Sequence, residues 1–184
     1  CFSDYRSGVP DFLNDAQRDI QRRAHSLGRQ VASLNTDSLE AHQIESETRA
    51  LSKQAGIYLL TQPAEFGGTA GTSLDLTIAR EALGACGVSH LPGFFGPMPG
   101  LLAQASEHVR NKFLGPYLAG EAKGGFGFTE PPDAERHTWA RDEGDHLVVN
   151  GHKSYVTGGS HADFINTLVE LENVGPAMVV IETN

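Results

Sequence analysis

Residues 146–159 read His146-Leu147-Val148-Val149-Asn150-Gly151-His152-Lys153-Ser154-Tyr155-Val156-Thr157-Gly158-Gly159. A short apolar run ends at Asn150-Gly151, a dipeptide that turns tightly because both residues tolerate positive φ. The stretch beyond it closes on a second turn signal, Gly158-Gly159. This is strand chemistry. Alternation along a strand would place Tyr155 and Thr157 on one side.

Similar runs surround it. Residues 125–128, 138–141, 164–171 and 177–181 are short, apolar and separated by turn residues such as Glu143-Gly144-Asp145. Before residue 124 the period changes. Phe12, Ala16, Ile20, Ala24, Leu27, Val31 and Leu34 recur every three or four positions, which fits one face of a helix about six turns long. Asp11 is the expected N-cap. A second helix is predicted over 38–55 with Gly56 just past its end, a third from a cap at Ser73, and a fourth over 106–119. Gly67-Gly68 and the Gly/Pro-rich residues 87–100 read as loops. The sequence thus predicts an α+β chain. An N-terminal all-α helical domain (1–122) precedes a small β-barrel-like or β-sandwich domain (123–184).

Bulk properties bound the function. Of the 184 residues, 39% are hydrophobic and 20% charged, enough to build a core and too apolar for a disordered chain. The net charge of −9 opposes a phosphate-tracking surface, so nucleic acid is not an expected partner. Cys1 and Cys86 cannot build a disulfide framework, which fits a reducing, cytoplasmic setting. No apolar run reaches the ~20 residues of a membrane helix. The histidines are scattered without metal-ligand spacing, and no metal site is expected. Neither a phosphate-binding GxxxxGK loop, nor a GxGxxG after a strand, nor a GxSxG elbow occurs.

Three segments carry the specific signal: Pro63-Ala64-Glu65-Phe66-Gly67-Gly68, Phe126-Gly127-Phe128-Thr129-Glu130-Pro131, and the Asn150–Thr157 stretch followed by Ala162-Asp163. In this order, and with Tyr117-Leu118-Ala119-Gly120 between them, the chain resembles the acyl-CoA dehydrogenase family. The resemblance implies FAD as cofactor. Thr129, with Phe128 and Phe126 on the same strand, would meet the pyrimidine edge of the flavin. Thr157, with Val156, would lie by its N5 edge, and Tyr155 would stack on one ring face. Phe94 and Phe95 correspond to the wall of the acyl pocket, and Glu135 is assigned to the substrate side. The implied reaction is α,β-dehydrogenation of an acyl-CoA thioester in fatty acid metabolism, with hydride transfer to FAD. The implied assembly is a homo- or hetero-oligomer served by an electron-transfer partner. The family's catalytic Glu lies in a further helical domain outside these residues, so no catalytic residue is assigned.

The loop after Thr129-Glu130-Pro131 departs from the family. A Gly-Ser that presents donors to the flavin pyrophosphate is replaced by Pro132-Asp133-Ala134-Glu135. Pro132 has no N–H, and the two carboxylates repel phosphate, with Arg136 an opposing charge. Two other readings therefore stand beside the first. One is a flavin-dependent monooxygenase on the same fold. The other is a non-catalytic subunit or interaction module of a heteromeric dehydrogenase.

Overall fold

The computed structural model describes residues 13–34 and 38–183. Five helices come first: α1 (Asp15–Ala32), α2 (Ala41–Gln54), α3 (Ser73–Ala85), α4 (Glu107–Val109) and α5 (Gly115–Ala119). Five strands follow: β1 (Gly124–Gly127), β2 (Trp139–Asp142), β3 (Leu147–Asn150), β4 (Phe164–Leu171) and β5 (Gly175–Glu182).

The chain forms two compact units, residues 1–98 and 99–184. The change from helical to strand pattern falls later, near Gly124. α5 and the turn before it group with the sheet because their aromatics pack on it. Phe113 and Tyr117 hold their rings 5.1 and 5.6 Å from that of Phe164, which is fully buried at the start of β4.

In the first unit, α1 buries the predicted stripe Ile20, Ala24, Leu27 and Val31. It packs on Ile78, Ala79, Ala82 and Leu83 of α3. The contact is close at Gly28, where a Cβ would lie 2.9 Å from Cys86 Cβ. The helix starts later than the sequence suggests. Asn14 is the cap: its Oδ1 accepts from Gln17 N–H, and Gln17 Oε1 accepts from Asn14 N–H. Asp11 and Phe12 lie outside the described residues. Thr72, not Ser73, caps α3, in a reciprocal pairing with Asp75.

The weak apolar pattern of α2 has a cause. Its buried positions are Thr48 and Ser52, and Ser52 Oγ donates to Phe94 O at 2.5 Å. Ser52 faces inward there and holds the backbone of a loop. Gln62, fully buried, donates from Nε2 to Pro97 O at 2.9 Å and fixes the other end of that loop. The Gly-Gly pair after it is steric in origin. Gly67 adopts φ +84°, and a Cβ on Gly68 would sit 1.9 Å from Gln62 O.

Residues 106–119 do not form one helix. A five-residue π-helical turn, Arg110–Leu114, separates α4 from α5. Pro116 has no N–H to offer the Lys112 carbonyl, so the regular ladder cannot run through.

The sheet is organised by β4. β5 pairs antiparallel with it along all eight residues, from Phe164↔Glu182 to Leu171↔Gly175. β1 pairs parallel with its first half and β2 parallel with its last residues. Because β5 fills one edge, β1 and β2 must follow one another along the other. β3 pairs antiparallel with β2. The α+β class holds, but the expected barrel-like or sandwich closure does not form among the described residues. One mixed, open sheet is present, with β3 at its end.

Two substitutions test these packing claims by chemical denaturation of the full chain. Phe164→Ala removes a buried ring with three aromatic or glycine neighbours and should cost about 3–5 kcal/mol. Gly68→Ala should destabilise by more than about 1 kcal/mol, beyond the roughly 0.5 kcal/mol of an ordinary surface change, because backbone rather than a flexible side chain must move. A neutral result for either would contradict the contact it removes.

Candidate functional site

The site begins at the glycines of β1. Gly125 and Gly127 are buried beneath Ile165, whose side chain a Cβ would meet at 3.0 and 3.3 Å. Alternation then turns Phe126 and Phe128 outward. They are 43% and 55% exposed, with rings nearly parallel at 11° and centroids 6.0 Å apart. Two large aromatics stacked on each other leave an apolar surface open to solvent among the described residues.

The segment after β3 runs back along β1. Ser154 N–H donates to Thr129 O at 2.9 Å, and Phe126 N–H donates to Thr157 O at 3.1 Å. Directly opposed residues in an antiparallel bridge share a face. Thr157 therefore stands beside Phe126, and both are exposed. The side-chain hydroxyls of Thr129 and Thr157 bond no described residue.

The strand predicted through this segment is not there. β3 ends at Asn150, and only Thr157 bridges. Gly151 explains the break: it crosses Thr138 so closely that a Cβ would lie 2.5 Å from Thr138 Cα. Tyr155 sits in a bend at φ +55° and is 90% exposed. Its outward position comes from that left-handed turn and not from alternation. Val156 points the other way. With Lys153, Ile165, Val179 and Ile181 it lines a cleft of about 610 Å³ on the inner face of the sheet.

The two motifs are joined by a group that the sequence reading left without a role. Glu130 Oε1 accepts from Lys153 Nζ at 2.8 Å and from Thr138 N–H at 2.7 Å, and Oε2 lies 2.6 Å from His137 Nδ1. Lys153 Nζ also donates to Phe128 O at 3.2 Å. The side chains of Glu130 and Lys153 are only 17% and 9% exposed. The Lys153 ammonium first, then the Thr138 amide and His137, hold the Glu130 carboxyl far below the usual carboxylate range. The residues lie 23 positions apart, so nothing local in the sequence marks the pair.

Glu130 and Thr138 bracket the altered loop. Within it Pro132, Asp133, Glu135 and Arg136 are exposed. The Arg136 guanidinium lies over the Trp139 ring at 4.8 Å. A second cleft of about 410 Å³ opens beside the loop, lined by Phe128, Thr129, Glu130, His137, Lys153 and Pro176 among others.

The expected acyl-side residues Phe94 and Phe95 belong to the other unit. Phe94 is 3% exposed and part of the helical core. Phe95 is half-buried, with the Arg80 guanidinium 5.6 Å from its ring centre. Both border a cleft of about 550 Å³ that Arg80 and Ser89 also line. The described residues contain no group of His, Cys, Asp and Glu that could hold a metal, and none of their helices is long and apolar enough to cross a membrane.

Comparisons with known proteins place this arrangement. Residues 14–121 match the family described as "Acyl-CoA dehydrogenase, N-terminal domain". The "3-(aryl)acrylate reductase" of Clostridium sporogenes is 35% identical over 164 residues, covering 84% of this chain and 43% of that protein. A structure described as "a probable acyl CoA dehydrogenase from Mycobacterium abscessus" is 27% identical with a TM-score of 0.69, covering 94% of this chain and 49% of that one. The ChsE4-ChsE5 complex from Mycobacterium tuberculosis shares the fold at a TM-score of 0.72 and 21% identity, over 96% of this chain and 49% of that one. The chain thus spans about half the length of the proteins it matches.

The Glu130 network makes a pH prediction. A carboxyl whose folded pKa is depressed stabilises fully above its unfolded value, near 4.5, and that stability is lost as pH falls through the lower folded value. Urea titrations at neutral and acid pH should show Glu130→Gln weaker than wild type by about 2 kcal/mol at pH 7, with the gap shrinking below pH 4.5. A gap that stays constant with pH would remove Glu130 from this role.

Proposed function

The chain belongs to the acyl-CoA dehydrogenase family, and from that premise we propose that its second unit holds the ring end of FAD, the family's cofactor, for oxidoreduction of an acyl-CoA thioester. The observation that carries this reading is the stacked, exposed Phe126–Phe128 pair beside the unengaged hydroxyls of Thr129 and Thr157. An isoalloxazine is flat and apolar with polar atoms on its edges. A protein holds it with a planar apolar surface and a few donors at those edges.

Each residue has a distinct part. Phe126 and Phe128 exclude water from one side of the ring system. Thr129 and Thr157 offer hydroxyls to its edges. Tyr155, held outward in its bend, is a second aromatic surface. FAD supplies the hydride acceptor of the α,β-dehydrogenation. Val156 serves from behind, as packing on the inner face. The cleft at Phe95 and Arg80 is the proposed seat of acyl substrate atoms, with Phe94 as its core support. Glu135 stands exposed on the loop, where it can meet only a cationic or neutral group without repulsion.

The phosphate end of FAD does not fit the loop after Pro131. That loop presents Pro132 without an N–H and the carboxylates of Asp133 and Glu135, and its Arg136 is stacked on Trp139. This favours a second reading: the chain is one subunit of a heteromeric dehydrogenase, with the diphosphate held by residues of a partner or of another segment. An electron-transfer partner for the reduced flavin belongs to either reading.

The test uses the protein as isolated in its natural assembly. A flavin absorption band that bleaches on anaerobic addition of acyl-CoA thioesters is expected. Thr129→Ala and Thr157→Ala should each weaken FAD binding by about tenfold, the value of one hydrogen bond at a buried edge. Absence of flavin together with no calorimetric FAD binding would sink the first reading. FAD binding only in the presence of a second chain would select the heteromeric one.

A further inference from the structure

Lys153 and Glu130 form a clamp around a single residue. The Lys153 ammonium bonds Phe128 O on one side of Thr129 and the Glu130 carboxylate on the other, while the next amide, Ser154 N–H, bonds Thr129 O. Three consecutive residues of β1's exit are thereby held by two consecutive residues of the returning segment. Glu130 is in turn fixed to the start of β2 through the Thr138 amide.

Stability alone does not account for such a pair. Replacing a buried ion pair by apolar groups of similar size is often neutral or stabilising. What the pair supplies, and apolar groups do not, is direction. The ammonium must lie where both acceptors reach it. The clamp at residues 153–154 and the bridge at Thr157 also enclose Tyr155, whose φ of +55° is unfavourable for a residue with a side chain. The clamp fixes the near end of that bend, while the Thr157 bridge and the Gly159 N–H on Val156 O fix its far end.

We propose that Lys153 and Glu130 are positioning residues for the flavin edge, setting the spacing between the Thr129 and Thr157 hydroxyls. This rests on the flavin reading above. Neither residue touches the ring system in this scheme. Both act through the backbone of residues 128–130 and 154–157.

The deciding experiment, in the full-length protein, compares Glu130→Gln, Lys153→Met, Lys153→Arg and the apolar pair Glu130→Leu/Lys153→Met. Two readouts are needed: amide hydrogen exchange of Phe126 and Ser154 without flavin, and the Kd for FAD. Each of the first two variants should speed exchange and weaken FAD by about tenfold, and Lys153→Arg should recover part of both. The apolar pair is the critical case. It should unfold at wild-type denaturant concentration yet keep fast exchange and weak FAD binding, a combination that a merely structural role would not give. Arg141→Ala, at the exposed Arg141–Glu143 pair, should change neither readout. The proposal is overturned if the apolar pair binds FAD as tightly as wild type, or if exchange at Phe126 and Ser154 is unaffected. Wild-type protein that shows slow exchange but binds no FAD would instead reject the flavin reading, and the positioning role with it.

Discussion

A β-strand has two hydrogen-bonding edges, and β4 fills both. β5 covers one along its whole length, so β1 and β2 are forced to share the other. That constraint fixes the second unit. It lays β1 flat over Ile165 and Phe164, where only glycine fits. It leaves the far edge of β1 without a strand. The segment after β3 fills that edge partly, through Ser154 and Thr157. The exposed aromatic face therefore arises where the sheet is incomplete, next to the last backbone groups that find partners.

Polar groups do the positioning in both units. In the first, Ser52 and Gln62 are fully buried and spend their hydrogen bonds on the carbonyls of Phe94 and Pro97. In the second, Glu130 and Lys153 spend theirs on the exit of β1 and the start of β2. A loop cannot bury enough apolar surface to fix itself, and its backbone groups need partners. Buried side-chain donors and acceptors meet both needs at once. The segments held this way are those that carry Phe94–Phe95 and Thr129.

On the proposed flavin reading, the loop between Glu130 and Thr138 stands between the ring end and the phosphate end of the cofactor. Its ends are tied by one carboxylate, that of Glu130 on the Thr138 amide. Its middle presents Pro132, which has no N–H, and the carboxylates of Asp133 and Glu135. On that reading the ring end and the phosphate end depend on different residues, so one can change without the other.

Much of this was legible in the sequence. Most strand positions, the stripe of α1 and the left-handed Gly56 follow from periodicity and turn chemistry. All are local properties of neighbouring residues. The outward direction of Phe126 and Phe128 also follows from alternation, given glycines between them. Other features were set only by the tertiary structure. The strand stops before Tyr155 where Gly151 crosses Thr138, a contact between distant positions. Phe94 is core because α2 offers Ser52 to its carbonyl. α5 and the π-helical turn before it belong with the sheet because Phe164 collects their rings. Glu130 and Lys153 look like ordinary surface charges in the sequence, and become a buried pair only when β4 brings their segments side by side. Local chemistry determined the elements and most of their faces. Long-range pairing decided which side chains meet, because hydrogen-bonding edges and buried charges find partners only once the sheet has formed.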